Sequence, residues 1–205
     1  MLHDVPVTVD FRSEDHAREW TDSANAIRPW RRDFFDAFAQ ELGAIAPSAP
    51  LRVLELGSGP GFLAERLLSC TPTLAYVALD FSPVMHALAA QRLGALCERV
   101  QFLERNLRDE DWHVGLGSFD AVVTHQAVHE LRHKRYAQAL HARVRGLLKA
   151  GKPYLVCDHF LGGGGMANAE LYMTVGEQAG ALLDAGFGDV TEVLRKEGLV
   201  LHRAC

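Results

Sequence analysis

Two short stretches hold residue types that could do chemistry. In "HELRH" (129–133), two imidazoles stand four residues apart with a carboxylate between them. On a helix that spacing puts both rings on one face, where they could ligate zinc while Glu130 serves as general base. In "VLELGSGPGF" (53–62), three glycines follow an apolar run, and Glu55 stands two residues before the first of them. Glycines turn the backbone tightly and clear side chains from a ligand's path, leaving N–H groups to meet it at a helix N-terminus. The sixth position counted from Gly57 is Phe62, so the dinucleotide fingerprint G-x-G-x-x-G/A is not met.

Zinc chemistry needs more than the five residues. The extended pattern would require glycine at position 136 and histidine at position 139, where the chain has Tyr136 and Ala139. Glu170 and Glu177 lie beyond a further strand and a tetraglycine loop, and Lys134-Arg135 place charge where a metalloprotease helix would enter a core. No metal is expected, and zinc hydrolysis through His129 and His133 stands as the lesser alternative.

The elements that must position these residues alternate apolar runs with helical spacing. Expected strands are 51–56, 74–80, 99–104, 119–125 and 152–160, with two more joined by a turn around Lys196–Gly198. Helices are expected from Phe62, from Pro83 with Ser82 as N-cap, from near His133, and over 174–186. The third of these carries Tyr136, Leu140, Val144 and Leu147 at buried spacing. That order describes an α/β fold with a doubly wound, mostly parallel sheet. Residues 1–50 read differently. Trp30, Phe34, Phe35, Phe38 and Leu42 form one stripe on a helix that Pro29 opens or kinks, and "APSAP" (46–50) is a connector.

Asp80 ends the second strand twenty-three residues past Gly57. A carboxylate there can accept hydrogen bonds from both hydroxyls of a ribose. Phe81 or Met85 could pack on a purine face, and Asn106, after the third strand, could offer its carbonyl oxygen to an adenine amine.

Taken in order, "VLELGSGPG", "VALDFSPVMHALA", "VQFLERNL", "FDAVVTHQAVHEL", "VRGLLKAGKPYLVCDHF" and "LLDAGFGDV" resemble the class I S-adenosylmethionine (SAM)-dependent methyltransferases. The resemblance spans about residues 51–205, as a SAM-binding domain behind an N-terminal helical lid over 1–50. It implies a seven-stranded sheet with the last strand antiparallel, and SAM as cofactor. By that likeness Glu55 and Gly57 approach the methionine portion, Gly59 and Gly61 complete the turn, Asp80 meets the ribose, and Asn106 with Leu107 meets the adenine. Family members often have Asp where Asn106 stands; Asn keeps the acceptor atom and loses the charge. "AVHEL" then falls where the chain leaves the sheet after its fourth strand, a place that needs no zinc.

Methyl transfer from a sulfonium asks the protein to hold acceptor, methyl and sulfur in line and to exclude water. Open α/β sheets bind ligands beyond the carboxyl ends of their strands. That places His125, Gln126 and His129 after the fourth strand, and Asp158 and His159 after the fifth. His129 and His159 are the candidates for acceptor orientation or general base, and His125 for a main-chain contact to the cofactor. Trp20, Arg28 and Trp30 are expected in the lid, where aromatic faces favour a sulfonium. "GGGGMANAELYM" (162–173) is expected to form a second wall, with Met166, Leu171 and Tyr172 facing the acceptor. The acceptor is expected to be a small molecule methylated at oxygen, nitrogen or an activated ring carbon. The alternative is a cofactor-binding scaffold without turnover.

A formal charge of -5 and a pI near 6.0 argue against a partner held by phosphate neutralisation, so no nucleic acid is expected. Arg28/Arg31/Arg32 and His133-Lys134-Arg135 are expected as solvated faces or anion contacts. The four cysteines never form C-x-x-C, and the N-terminus lacks an apolar signal core. A reduced, cytoplasmic protein without a membrane span is the expectation. Replacing Asp80 by Ala should abolish the micromolar-range binding of S-adenosylhomocysteine; calorimetry giving equal heats for both proteins would remove Asp80 from the site.

Overall fold

The computed structural model describes residues 3–45 and 50–205. Of the expected connector only Pro50 lies among the described residues. Seven strands form one sheet: β1 Leu51–Leu56, β2 Leu74–Asp80, β3 Val100–Glu104, β4 Ala121–His125, β5 Tyr154–His159, β6 Val190–Lys196 and β7 Leu199–Ala204. Their spatial order is β3-β2-β1-β4-β5-β7-β6. Pairings from β3 through β5 are parallel, and β7 runs antiparallel to both β5 and β6. The winding reverses between adjacent β1 and β4, which opens a crevice beyond their carboxyl ends. This is the α/β, doubly wound, seven-stranded sheet expected from the alternation of runs.

Among the described residues six α-helices cover the sheet: α1 Glu14–Ile27, α2 Arg31–Ile45, α3 Phe62–Cys70, α4 Pro83–Leu93, α5 Ala137–Leu147 and α6 Val175–Asp184. Alternation along β1 divides its side chains between two cores. Leu51 and Val53 pack with Phe34, Phe38, Leu42 and Leu67 of α2 and α3. Leu54 and Leu56 pack on the opposite face with Trp112, Leu140, Val144 and Leu182. Glu55 therefore shares the face of Val53 and looks toward the N-terminal helices. The Ser82 hydroxyl accepts the Met85 N–H at 3.1 Å, and Thr174 with Glu177 makes a reciprocal capping box, so both helices start where their caps direct.

The expected N-terminal stripe lies on α2, which begins just after Pro29, and Arg28–Trp30 separates it from α1. Trp30 sits in that break, half-buried against the core, while Phe34, Phe35, Phe38 and Leu42 are buried as expected. No helix spans "HELRH". Val128–Leu131 is a short 3-10 turn, Arg132 adopts a left-handed φ of 69°, and a second 3-10 turn, Lys134–Tyr136, precedes α5. The imidazoles of His129 and His133 therefore do not share a helix face. His133 instead caps a turn, its Nδ1 accepting the Arg135 N–H at 3.1 Å. The zinc alternative loses the geometry on which it rested.

Among the described residues, no helix is long and apolar enough to cross a membrane. Truncating Phe38, fully buried beneath α2, to Ala should cost about 3–5 kcal/mol of stability in urea unfolding. A loss below about 1 kcal/mol would mean that α2 is not part of the core.

Candidate active site

A cavity of about 380 Å³ opens at the carboxyl edge of β1, β2 and β4 and reaches the tip of β5, a size suited to a small organic ligand. At one end it is lined by Gly57, Gly59, Asp80, Phe81, Met85, Asn106 and Leu107, all anticipated from the sequence. Gly57 has φ 65°, and a Cβ there would stand 2.4 Å from the Ala127 Cβ, so no larger residue fits without displacing the β4 loop. Gly61 does not line the cavity. It begins α3 at φ 81° and lies against Ala89 of α4, a packing role.

Asp80 ties this end together. One carboxylate oxygen accepts the Gly59 N–H at 2.8 Å and the other the Ser82 N–H at 2.9 Å. Burial raises its pKa, and the same N–H groups oppose that rise. Each oxygen keeps lone-pair capacity for a further donor. The Asn106 carbonyl oxygen accepts the Arg108 N–H at 3.0 Å, an Asx turn that fixes the side chain at the cavity wall.

Near the middle, Glu55 is 2% exposed and accepts the Tyr76 hydroxyl at 2.8 Å. Burial pushes its pKa up to about 8, with the Tyr76 hydrogen bond and Arg31 pulling the other way and Asp80 adding to the rise. Arg31 is no solvated charge. It is 4% exposed, and its guanidinium lies 5.0–5.6 Å from the ring centres of Phe62, Phe35 and Trp20, with one hydrogen bond to Asn25. Its Nε has no partner among the described residues. Burial lowers its pKa to about 10, which leaves it charged at neutral pH. The His125 ring lies among Phe34, Phe35 and Phe38, and burial pushes its pKa far below the usual range, so it is neutral.

At the far end, Asp158 closes β5 and clamps His129. It accepts the His129 backbone N–H at 2.8 Å and lies 2.6 Å from its Nδ1, while Glu130 lies 3.3 Å from its Nε2. Burial disfavours the charged ring, but the two carboxylates outweigh it and raise the pKa, so His129 is held as an imidazolium. His159 is the reverse: burial, aided by His129 and Arg28, pushes its pKa down to about 4 against the pull of Asp158. Its Nε2 stands 2.8 Å from the amide nitrogen of Gln126. An amide nitrogen only donates, so that ring nitrogen carries a lone pair. Gln126 reaches it from a left-handed φ of 58°, a strained conformation for a non-glycine residue and one that clusters at functional sites.

Of the expected lid residues, Trp20 and Arg28 line the cavity and Trp30 does not. Tyr172 stands behind it, its ring 5.5 Å from that of His129 and 5.9 Å from that of His159. Sequence spacing gave no sign of the extended strap over residues 3–13. Its Val7, Val9 and Phe11 line the cavity, and its Asp4 pairs with Arg108 and Arg135 and accepts the Tyr136 hydroxyl. Arg132 holds the same strap through the carbonyls of Val5 and Pro6. Nor did spacing single out Arg31 or the Asp158 clamp, since both depend on contacts between distant segments.

Residues 54–151 match a family described as "Methyltransferase domain". An uncharacterized methyltransferase of Anoxybacillus flavithermus is 27% identical over 185 residues, covering 90% of this chain and 79% of that protein. Two of the solved structures that share the fold illustrate it. An O-methyltransferase family protein from Burkholderia thailandensis aligns at TM-score 0.74 and 23% identity, over 95% of this chain and 60% of that one. Human N-acetylserotonin methyltransferase, in complex with SAM, aligns at 0.71 and 18%, over 95% of this chain and 56% of that one. This chain thus spans little more than half the length of either solved structure. Over residues 54–151 the chain is similar to a methyltransferase domain, and its fold is that of the SAM-dependent methyltransferases.

SAM as cofactor fits the residues present. Glu55 offers a carboxyl group and the orphaned Nε of Arg31 a cation to an amino-acid end, and Asp80 offers free lone pairs to a diol. Because the folded pKa of Glu55 lies above its ordinary value of 4.5, the folded state keeps a proton that the unfolded chain releases between pH 4.5 and about 8. Stability should therefore decline as pH rises through that window, by up to about 1.4 kcal/mol per unit from this group. Chemical unfolding of wild type and Glu55→Gln should give similar stabilities near pH 5 and an advantage for the variant near pH 8. Parallel curves would place a charged Glu55 in the folded protein throughout.

Proposed function

We propose that this protein transfers a methyl group from SAM to a small-molecule acceptor by in-line displacement. The observation that carries the proposal is the continuity of one cavity, from the Asp80 carboxylate at the β2 tip to the His159 imidazole at the β5 tip. When bound, SAM supplies a methyl carbon on a positively charged sulfur, which retains the bonding electron pair as a neutral thioether after transfer.

The protein's part is positioning and exclusion of water. Glu55 takes the cofactor's ammonium, Arg31 its carboxylate, Asp80 the ribose hydroxyls, and Asn106 with Leu107 the adenine edge between Phe81 and Met85. The helices and strap of residues 3–45 act as a lid over the domain that begins at residue 51. Trp20 and the strap's Phe11 turn apolar faces to the cavity; their rings meet edge to face at 5.6 Å.

The two histidines divide the acceptor end. His129, with both ring nitrogens against carboxylates, has no lone pair for a proton and orients the site. His159 is neutral, and its Nε2 takes the acceptor's proton as the new bond forms, once the Gln126 amide gives way. Asp158, already paired with His129, also accepts the His159 backbone N–H at 2.7 Å, which fixes the strand end that carries the ring. Free cysteines and the lack of an apolar spanning helix among the described residues accord with a cytoplasmic setting.

S-adenosylhomocysteine should bind in calorimetry, and labelled SAM should pass its methyl to at least one member of a panel of phenols, acids, amines and activated aromatics. Cofactor binding with no transfer across the panel would leave a scaffold rather than an enzyme. With a working acceptor, His159→Ala should lower kcat by about 10²–10⁴-fold while S-adenosylhomocysteine affinity stays within about twofold. An unchanged kcat would remove His159 as the base.

A further inference from the structure

Six arginines line the cavity: Arg12, Arg28, Arg31, Arg105, Arg108 and Arg132. Five are engaged by the protein itself. Arg12 lies over Phe81, and Arg31 sits in its ring cage beside Asn25. Arg105 donates to the carbonyls of Trp112 and Val114 at 2.8 and 2.9 Å. Arg108 pairs with Asp4, and Arg132 with Glu130 and the strap carbonyls. Arg28 alone has no side-chain partner among the described residues. It is half-buried at the C-terminus of α1, where the helix breaks before Pro29.

The position of this spare cation is telling. It lines the same cavity as His159, and its charge acts on His159, Tyr172 and Arg31, so it stands where the acceptor end meets the cofactor's amino-acid end. The carboxylates nearby are occupied: Asp158 by His129, and Glu130 by His129 and Arg132. His129, held between those two carboxylates, offers the same wall no free donor, which leaves Arg28 as its unpaired cation among the described residues. A half-buried guanidinium without a counter-ion loses solvation with nothing returned by the protein, and its planar fork matches a carboxylate.

We propose that the acceptor is an organic acid, whose carboxylate seats on the Arg28 guanidinium while its reacting atom faces His159. The proposal rests on the methyltransferase reading and specifies the substrate class of the same site. Arg31 and Glu55 already provide for the two charges of the cofactor's amino-acid end, so Arg28 is left for the other ligand.

The test uses the full protein saturated with S-adenosylhomocysteine and titrated with benzoate, then with benzamide as the uncharged counterpart. Benzoate should bind at least about tenfold more tightly than benzamide, as expected for a charge-assisted, bidentate contact. Arg28→Gln should erase that preference, Arg28→Lys should restore part of it, and S-adenosylhomocysteine affinity should stay within about twofold in both variants. Absence of benzoate binding, an equal response to benzamide, or an unaltered preference in Arg28→Gln would overturn the proposal. So would a collapse of S-adenosylhomocysteine affinity in Arg28→Gln, which would assign Arg28 to the cofactor's carboxylate. Failure of the wild type to bind S-adenosylhomocysteine at all is a separate result, read before benzoate is added, and it would remove the methyltransferase reading itself.

Discussion

A carboxylate taken out of water must find donors in the protein or give up its charge, and Asp80 stands at the place where this demand organises the site. Its two oxygens take backbone N–H groups from the β1 turn and from the start of α4. The tips of two parallel strands are thereby locked in register at the edge where a ligand must lie. The same Ser82 that donates to Asp80 caps α4 and, through its hydroxyl, donates to the Phe11 carbonyl of the strap. One buried acid thus couples the glycine turn, a helix start and the cover of the cavity.

Burial sets the protonation states elsewhere along the cavity, and neighbouring charge decides which way each group moves. Glu55 is driven toward its neutral form because only one hydroxyl and one more distant guanidinium answer its charge. His129 moves the other way because two carboxylates meet its ring. His159, whose ring centre lies 5.4 Å from that of His129, stays neutral. Two imidazoles in contact cannot both be cationic at little cost in such a setting, so charging one secures the lone pair of the other.

The segment "HELRH" illustrates how a spacing acquires meaning only from its backbone. In a continuous helix His129 and His133 would face one ion. Here Arg132 adopts a left-handed conformation between them, so His129 is turned toward Asp158 and the cavity while His133 folds back to cap a turn. Arg132 itself gains from the break, since its side chain reaches the strap and holds it over the cavity.

Much of the fold was legible because strand and helix periodicities are local. The alternation along β1, the runs of β4 and β5, and the cap at Ser82 each announce themselves within a few residues. The cavity-lining glycines, Asp80, Asn106, His129 and His159 could be named from sequence for the same reason: a ligand-binding sheet presents them at strand ends, which position along the chain specifies. Arg31, the strap and the pairing of His129 with Asp158 could not be read that way. Each joins segments far apart in sequence, and whether an arginine is solvated or caged by three rings depends on which helices pack together. Sequence determined which groups stand at the sheet's edge. Tertiary structure decided which of them are charged, because burial and neighbouring charge exist only once the chain has closed around them.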